Sequence, residues 1–161
     1  MFNLNLASPS KLLITNWNRV KNIPCGNYLF SKIVGKLIPY TGSISPLVMT
    51  IESGRAVVKL KDHRKIRNHL KSIHAIALAN LGEFTTGLSL MSQLDENASA
   101  ILVNIETTYL KKARGTLTAE ANSPMPNLTE RDTKHPIRAV IKNEQGDVVC
   151  EVCATWQVRK H

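Results

Sequence analysis

Asn68, His74 and Glu83 are the residues whose types and spacing could do acid–base or nucleophilic chemistry. A carboxylate can act as a general base or as a nucleophile, and an amide side chain beside it can orient a water or a carbonyl group. Glu83 follows His74 by nine positions. On a helix that spacing is about 13 Å along the axis and places the two side chains on opposite faces. One copy of the chain therefore cannot bring His74 and Glu83 to a single site.

The element that must position these residues is a helix predicted over residues 72–94, which is apolar on nearly every face. Ala75 lies in its first turn, where backbone N–H groups lack an intrahelical acceptor and carry a partial positive charge. Such an N–H can bind a carbonyl oxygen that is becoming an oxyanion. A second copy of the helix, antiparallel across a twofold axis, would bring Glu83 of one chain to Asn68 and Ala75 of the other.

The surrounding elements predict an α+β architecture. Two helices lead the chain, the first beginning at Ser8-Pro9 and the second ending near Gly35. Alternating apolar residues then predict strands at residues 47–51, 56–60, 101–109, 117–121, 137–141 and 148–158, with turns at 52–54 and 143–146 and a long loop over 122–133. An antiparallel sheet of about six strands, curved around the apolar helix, would bury it on most sides, and the remaining side would need a partner.

Composition and charge limit which classes of protein are possible. The chain has 161 residues, of which 43% are hydrophobic and 20% are charged, so it is one domain of ordinary size and too apolar to be disordered. A mean hydropathy of -0.12 is too polar for a membrane protein, and three cysteines cannot make a disulfide framework. The formal net charge of +9 predicts an anionic partner, which could be nucleic acid, acidic lipid or a phosphorylated small molecule.

The stretch from Asn68 to Glu83, NHLKSIHAIALANLGE, resembles the signature of hotdog-fold thioesterases of the phenylacetate-pathway type. In that family an Asn precedes a His-Gly-Gly by six positions and a Leu-x-Asp/Glu follows. Asn68 precedes His74 by six positions here, and the His-Gly-Gly is relaxed to His74-Ala75-Ile76. Residues 109–115, YLKKARG, and the segment after them look like the next strand, the tight basic turn and the third strand of that superfamily. The resemblance covers roughly residues 47–159.

The resemblance implies a hotdog fold, with residues 1–161 as a single domain in which 1–46 form a helical extension and 47–161 form the core. It implies an acyl-coenzyme A thioesterase that works as a homodimer, or as a dimer of dimers, with two sites per dimer. Glu83 would activate a water or attack the thioester carbonyl directly, Asn68 would orient the reactants, and the Ala75 amide would polarise the carbonyl. His74 belongs to the implied site and is expected to hold its loop by a hydrogen bond, with direct chemistry as the alternative role.

Basic residues could hold the phosphorylated part of such a substrate. By the resemblance, Lys111, Lys112 and Arg114 lie on the turn where hotdog proteins often meet coenzyme A, whose pyrophosphate and 3′-phosphate are anionic. Coenzyme A would be part of the substrate, and no separate cofactor is expected. A basic run over residues 59–71 could instead bind nucleic acid, but aromatic residues make up only 5% of the chain, so stacking platforms are scarce.

Two further functions stay open beside the thioesterase. Ile76, in place of the second glycine, favours a non-catalytic module that binds acyl-coenzyme A or lipid on the same fold. The basic run over residues 59–71 favours a nucleic-acid-binding protein, whose affinity would fall steeply with salt. A hydratase is disfavoured because no His-and-acid pair can be assembled from this register.

No metal site is expected. Cys150 and Cys153 spell CxxC, but residues three apart on a strand point to opposite faces, and Cys150 is expected in the core. His63, His69 and His74 have no ligand set to join. Residues 1–7 lack the basic and apolar regions of a secretory signal, and no run of about 18 apolar residues is present, so a cytoplasmic protein without a membrane span is expected.

Overall fold

The computed structural model describes residues 9–127 and 132–160. Its first helices are α1 (Pro9–Val20), α2 (Gly26–Leu37) and α3 (Pro39–Ser43). The predicted helix start at Ser8 lies outside the described residues. The sequence pattern does not predict α3, because Pro39 reads as the end of α2. Proline is equally well tolerated at the first position of a new helix, where its missing N–H has no intrahelical acceptor to lose, and α3 begins there.

The sheet has six strands in the part of the chain that the structure describes. They are β1 (Leu47–Glu52), β2 (Arg55–Leu60), β3 (Ala98–Tyr109), β4 (Leu117–Asn122), β5 (Asp132–Lys142) and β6 (Val148–Lys160). Their order is β1-β2-β4-β5-β6-β3, and every neighbouring pair is antiparallel. The predicted six-stranded antiparallel sheet is confirmed, with β1 and β3 as its two edges.

The central helix α4 (Ala75–Met91) is shorter at both ends than the predicted 72–94. Ile73 stays extended because it forms a β-bridge with Arg67 and its N–H donates to the carbonyl of Ala113. Ser92 ends the helix because its hydroxyl accepts from the N–H of Gly54, which ties the helix end to the β1–β2 turn. Tertiary contacts therefore make the helix shorter than the range 72–94 that the sequence pattern predicts.

The sheet wraps α4 as the apolar pattern predicted. Along β6 the side chains of Val152, Ala154 and Val158 are fully buried, in the alternation expected from the sequence. Gly82 lies so close to β6 that a Cβ built on it would be 2.3 Å from a methyl carbon of Val152. The absence of a side chain at this position lets the helix lie directly on the strand.

Two surfaces of this unit are apolar and uncovered. One is the solvent-facing side of α4, where Ile76 is 54% exposed. The other is the edge strand β3, where Ile101 is 66% exposed and Val103 and Ile105 are also exposed. Unpaired edge strands with apolar side chains are surfaces on which other chains can add. The expectation that a partner chain covers part of the molecule stays a prediction.

The helices α1 and α2 pack against the opposite edge, β1. The indole N–H of Trp17 donates to the carbonyl of Ile51 at 3.0 Å. The hydroxyl of Ser31 accepts from the N–H of Val48 at 2.8 Å, and the side chain of Asn27 donates to the carbonyl of Met49 at 2.9 Å. These side chains satisfy backbone groups that a free edge would leave to water. The predicted division of the chain at residue 46 stays a prediction.

The loop predicted over 122–133 is shorter than expected. Strand β4 runs to Asn122 and β5 begins at Asp132, so Thr133 lies within a strand and pairs with Val158. The sequence signal misled because Pro136 interrupts the apolar alternation, although β5 continues through it opposite Thr155. Residues 128–131 of the predicted loop lie outside the described part. None of the described helices is both long and apolar enough to cross a bilayer.

Candidate active site

Asn68 folds the loop that leads into α4. Its side-chain oxygen Oδ1 accepts from the N–H of Leu70 at 2.9 Å, from the N–H of Ser72 at 3.2 Å and from the hydroxyl of Ser72 at 3.1 Å. This is the way an asparagine holds a tight turn. The oxygen is occupied by the loop, and the NH₂ group of Asn68 has no acceptor among the described residues.

His74 caps the start of α4. Its Nδ1 atom accepts from the N–H of Ile76 at 3.2 Å, and its own N–H donates to the carbonyl of Ile66 at 2.8 Å. With Nδ1 as an acceptor, the proton of the neutral imidazole is on Nε2. The histidine therefore caps the helix and connects it to the preceding loop. Its exposed Nε2–H can donate to a further group.

Ala75 is the first residue of α4 and is partly exposed. In the described part of the chain, its N–H has no acceptor, as expected for the first residue of a helix. Its carbonyl accepts from the hydroxyl of Tyr109 at 3.1 Å. Burial, with a smaller contribution from the nearby thiol of Cys150, raises the pKa of Tyr109, so this hydroxyl stays a neutral donor.

Tyr109 is a site residue that sequence reasoning missed. The sequence placed it at the end of a strand, next to the basic turn, but nothing local predicts that its hydroxyl reaches the start of α4. The contact spans 34 residues and joins the end of β3 to the helix. It holds the Ala75 amide in place relative to the turn at 110–113.

A groove of about 320 Å³, which we name the amide groove, lies beside the start of α4. It brings together four of the predicted site residues, Asn68, Ala75, Lys111 and Lys112. The rest of its lining is Leu70, Ser72, Ile73, Leu78, Tyr109, Leu110 and Ala113. The groove thus combines a free backbone N–H with basic side chains and an apolar wall.

The three predicted cations are engaged to different degrees. Lys111 pairs with Asp147 at 2.9 Å, an exposed contact that a bound anion can displace at little cost. The guanidinium of Arg114 donates to the carbonyl of Leu70 at 3.3 Å and so supports the groove wall. Lys112 is exposed and has no partner among the described residues. Lys112 is therefore the cation that meets an anion without breaking a contact.

Glu83 does not line the amide groove of its own chain. Its carboxylate lies on the partly exposed side of α4, eight residues beyond Ala75 and about 12 Å along the axis. Within the described residues it makes no ion pair or side-chain hydrogen bond. Burial raises the pKa of Glu83. The chain separates the carboxylate from the free amide, as the spacing predicted.

A second groove of about 330 Å³ lies next to His74, and we name it the Asn80 pocket. Apolar side chains of Ile44, Ile66, Ile76 and Ala77 form much of its wall, with Tyr40, Ser43, Lys65, His74 and Asn80 completing it. His74 therefore faces this pocket, whereas Asn68 and Ala75 face the amide groove. The start of α4 lies between the two grooves.

A serine and a histidine meet at the other end of α4, where the sequence analysis had assigned no function. The Nε2 atom of His135 lies 3.0 Å from the hydroxyl of Ser123. That hydroxyl donates to the carbonyl of Pro124 and accepts from the side chain of Gln93, both at 3.0 Å. Ser123 is 7% exposed and His135 is 8% exposed, and burial lowers the pKa of His135. This closed network holds the β4–β5 loop against the helix end.

The cysteines lie as the strand geometry predicted, with Cys150 buried in the core and Cys153 partly exposed on the other face. Burial raises the pKa of Cys150 to about 11, so it is a thiol and not a reactive thiolate. Across residues 9–127 and 132–160, no three His, Cys, Asp or Glu side chains cluster closely enough to hold a metal ion.

Comparison with solved structures confirms the hotdog fold. The structural-genomics protein APC5556 matches with a TM-score of 0.81 and 22% identity, covering 93% of this chain and 99% of that one. A probable thioesterase, PA5026 of Pseudomonas aeruginosa, matches with a TM-score of 0.74, 20% identity and coverage of 86% and 97%. A phenylacetic acid degradation-related protein of Ralstonia eutropha JMP134 matches with a TM-score of 0.64, 16% identity and coverage of 74% and 89%.

A search of curated proteins finds no match. A family model described as a domain of unknown function, DUF4442, matches residues 26–158, which include α2, α3, α4, strands β1 to β5 and all but the last two residues of β6. The chain belongs to the DUF4442 family.

Proposed function

We propose that this protein is an acyl-coenzyme A thioesterase whose two active sites are shared between the chains of a homodimer. The observation that carries the proposal is the separation of two unpaired groups on one helix. The free N–H of Ala75 opens on the amide groove, and the partnerless, partly buried carboxylate of Glu83 lies about 12 Å further along. A twofold axis beside α4 would bring each group to its complement on the other chain.

The chemistry follows from these two groups. The thioester carbonyl oxygen accepts from the Ala75 N–H, which stabilises the negative charge that develops as the carbonyl is attacked. The Glu83 carboxylate of the other chain takes a proton from a water, whose oxygen bonds to the carbonyl carbon. The tetrahedral intermediate then collapses, the carbon–sulfur bond breaks, and the proton passes from Glu83 to the leaving sulfur. The products are a carboxylic acid and coenzyme A.

The environment of Glu83 suits a general base. Burial raises its pKa, so its carboxylate binds a proton more readily than an exposed glutamate does. A direct attack by the same carboxylate, which would form an anhydride with the acyl group, uses the same geometry. Asn68 supports both routes through its free NH₂ group, because its oxygen is held by the loop.

The uncovered surfaces support a dimer. Ile76 and the exposed apolar residues of β3 lie on surfaces that a partner chain would remove from water. A dimer of dimers uses one surface for each interface. The mass in solution distinguishes the two assemblies.

The phosphates of coenzyme A would bind at the turn beside the amide groove. Lys112 is the exposed cation without a partner in the described chain, and Lys111 can exchange Asp147 for a phosphate. Arg114 supports the groove wall through the Leu70 carbonyl and adds positive charge nearby. Lys111, Lys112 and Ala75 line the same groove, which supports a substrate whose phosphates and thioester both bind there.

A complementation experiment tests the shared site directly. Glu83→Gln removes the base, and Ala75→Pro removes the oxyanion N–H. Proline is tolerated at the first helical position, and His74 before it already has φ −65° and ψ 142°, which a following proline accepts. Each variant alone should fail to release free thiol from a panel of short, long and aromatic acyl-coenzyme A substrates.

Mixing and reassociating the two inactive variants should restore activity. Half of the dimers are then mixed, and one of the two sites in each mixed dimer has both native groups, so about a quarter of the wild-type rate returns. If mixing restores nothing although mixed dimers form, the site is not shared between chains. If wild type releases no thiol from any substrate, the thioesterase proposal is wrong.

A non-catalytic module is the second candidate, and the observation that favours it is Ile76. This branched residue occupies the position of the second glycine of the related signature and is exposed beside the free amide. Calorimetry distinguishes the candidates, because tight binding of an acyl-coenzyme A without release of free thiol supports the module and contradicts the enzyme.

A further inference from the structure

The outer face of α2 carries a stripe of exposed apolar residues. Leu29, Ile33 and Leu37 follow one another at intervals of four residues, which places them on one side of the helix. They are 46%, 45% and 70% exposed. The opposite side of α2, with Phe30 and Val34, is buried against the rest of the protein. The stripe is therefore not part of the core, and the described chain leaves it uncovered.

A second stripe, which is basic, runs beside the apolar one. Lys32 and Lys36 lie one turn apart on the exposed face of α2. Neither lysine pairs with a carboxylate among the described residues. The Nζ atom of Lys32 lies over the exposed ring of Tyr28, 5.3 Å from its centroid. An ammonium group has three N–H donors, so Lys32 can keep this contact and still bind an anion.

Both lysines also line a groove of about 360 Å³ between α2 and the segment that leads into β1. Tyr28 and Ser45 line it as well, and no Asp or Glu of the described chain does. Two ammonium groups without a carboxylate beside them attract a phosphate group. The groove therefore places a site for an anion directly next to the apolar stripe.

The elements around α2 are positively charged. The helix packs on α1, α3 and β1, and residues 9–51 contain lysines and an arginine but no Asp or Glu. The first carboxylate that follows is that of Glu52, which pairs with Arg55 at 3.2 Å. Lys11 on α1 pairs with Glu96, which lies outside this part of the chain. The exposed apolar stripe thus lies in a cationic surrounding, which is complementary to an apolar layer covered with anions.

We propose that this surface, which we name the α2 face and which consists of Leu29, Ile33, Leu37, Lys32 and Lys36, docks on an anionic phospholipid bilayer. The helix lies parallel to the membrane, with its apolar stripe at the boundary between headgroups and acyl chains. The lysines bind lipid phosphates while their carbon stems remain in the apolar layer. This inference does not depend on thioesterase activity.

The charge and shape of the α2 face favour a bilayer over a second copy of the chain. A twofold contact through this face would set Lys32 and Lys36 of both copies against one another with no carboxylate between them. A fluid bilayer, in contrast, accepts protruding side chains such as Leu37 without a shaped pocket. Tyr40, which is exposed close to the end of α2, is of a residue type that favours the layer between water and hydrocarbon.

Sedimentation with vesicles tests the basic stripe. At about 0.1 M salt the wild-type chain should pellet with phosphatidylcholine vesicles that contain about 30% phosphatidylglycerol, and roughly tenfold or more weakly with pure phosphatidylcholine. Replacing Lys32→Gln together with Lys36→Gln should weaken binding to the anionic vesicles about 10-fold to 25-fold, because each lysine at such a surface contributes about fivefold. The matched control, Lys134→Gln with Lys142→Gln, removes the same charge from exposed positions of β5 and should change binding less than about threefold.

Vesicle binding and fluorescence test the apolar stripe. Leu37→Ser should weaken binding to the anionic vesicles by about fivefold or more, because a side chain that enters the membrane loses its apolar contact. Leu37→Trp should shift its emission to shorter wavelength when these vesicles are added. Met125→Ser and Met125→Trp, at a comparably exposed position in the loop after β4, should show neither effect. The native Trp17 and Trp156 are buried and give a constant background.

Three results would each overturn the proposal. In the first, wild type does not pellet with the anionic vesicles, which would leave an acidic protein as the occupant of the α2 face. In the second, the control pair on β5 weakens binding as much as the α2 pair, because net charge alone would then explain the attraction. In the third, the emission of vesicle-bound Leu37→Trp does not shift. Thiol release enters none of these measurements, so failure of the thioesterase proposal would not affect them.

Discussion

The two ends of α4 handle polar groups in opposite ways. From the start of the helix to its middle, the N–H of Ala75, the Oδ1 of Asn80 and the carboxylate of Glu83 have no partners in the described chain. At the end, the side chain of Gln93 donates to the carbonyls of Ser123 and Pro124, at 3.0 and 2.7 Å, and to the Ser123 hydroxyl.

This difference distinguishes a candidate site, whose polar groups are unpaired, from a structural region, whose polar groups bond to one another. Unpaired buried or half-buried groups reduce stability, and a fold keeps them where a ligand or a second chain completes them. The Ser123–His135 pair resembles a nucleophile and its base in residue type, but the hydroxyl proton goes to a backbone carbonyl and the pair is closed to solvent. Residue type alone would have pointed to the opposite end of the helix from the proposed site.

Glu83→Gln should give the largest effect and should act on activity alone. Removing a general base lowers kcat by about 100-fold to 10,000-fold. The unfolding free energy at pH 8 should not fall, because the half-buried carboxylate has no partner to lose in the chain and glutamine carries no charge to desolvate. Steady-state kinetics and urea denaturation measure the two effects. The exposed Glu96→Gln should change neither, and a large loss of stability in Glu83→Gln would give Glu83 a structural role.

Gln93→Leu should give the reverse result. It removes the donor to the part-buried carbonyl of Ser123 and lowers the unfolding free energy by about 1 kcal/mol, the typical net contribution of one hydrogen bond, whereas the exposed carbonyl of Pro124 still accepts from the Ser123 hydroxyl. Well below the melting temperature kcat should stay within twofold of wild type, roughly the scatter of such measurements. Urea denaturation checks the first effect and thiol release the second. Gln145→Leu, in the exposed β5–β6 turn, is the control, and a stable but inactive Gln93→Leu would contradict the division between the two ends.

The pH dependence of stability should have opposite signs at the two ends, and this is the smallest effect. Burial raises the pKa of Glu83, so its contribution is complete below the unfolded pKa of about 4.3 and is lost as pH rises through the folded value. Burial lowers the pKa of His135, so the unfolded chain takes up its proton first, and stability is lost as pH falls below about 6.5.

Urea denaturation of Glu83→Gln and His135→Gln between pH 4 and 8 tests these signs. Relative to wild type, Glu83→Gln should gain stability as pH rises through the acidic range. His135→Gln should gain relative stability as pH falls below about 6.5, whatever its stability at pH 8. A parallel shift of either variant at all pH values would show that its side chain does not titrate differently on folding.

Much of the fold could be predicted because its signals are local. Strand β6 alternates cleanly from Cys150 to Val158, and α4 is apolar on nearly every face, so both elements follow from periodicity. The misjudged boundaries depend on distant residues. Ile73 stays out of the helix because of Arg67 and Ala113, and α3 starts at a proline that reads equally well as a stop.

The sequence predicted which residues belong to the candidate site, but not which of their polar atoms are already hydrogen-bonded. Spacing and family resemblance identified Asn68, Ala75 and Glu83, and the amide groove brings Asn68 and Ala75 together. Nothing in the local sequence indicates that the oxygen of Asn68 is consumed by its loop. Tyr109 was missed because its bond to Ala75 joins residues far apart in the chain.

The amino-acid sequence by itself determined the elements, the antiparallel sheet around α4 and the separation of Ala75 from Glu83, because helical and strand periods are properties of the local chain. The tertiary structure alone decided which polar groups are paired. Asn80 and Gln93 are both amide-bearing residues near α4, yet Tyr40 leaves the oxygen of one unpaired while Ser123 and Pro124 accept from the other. Hydrogen bonding depends on which distant atoms lie within about 3 Å, and only folding decides that.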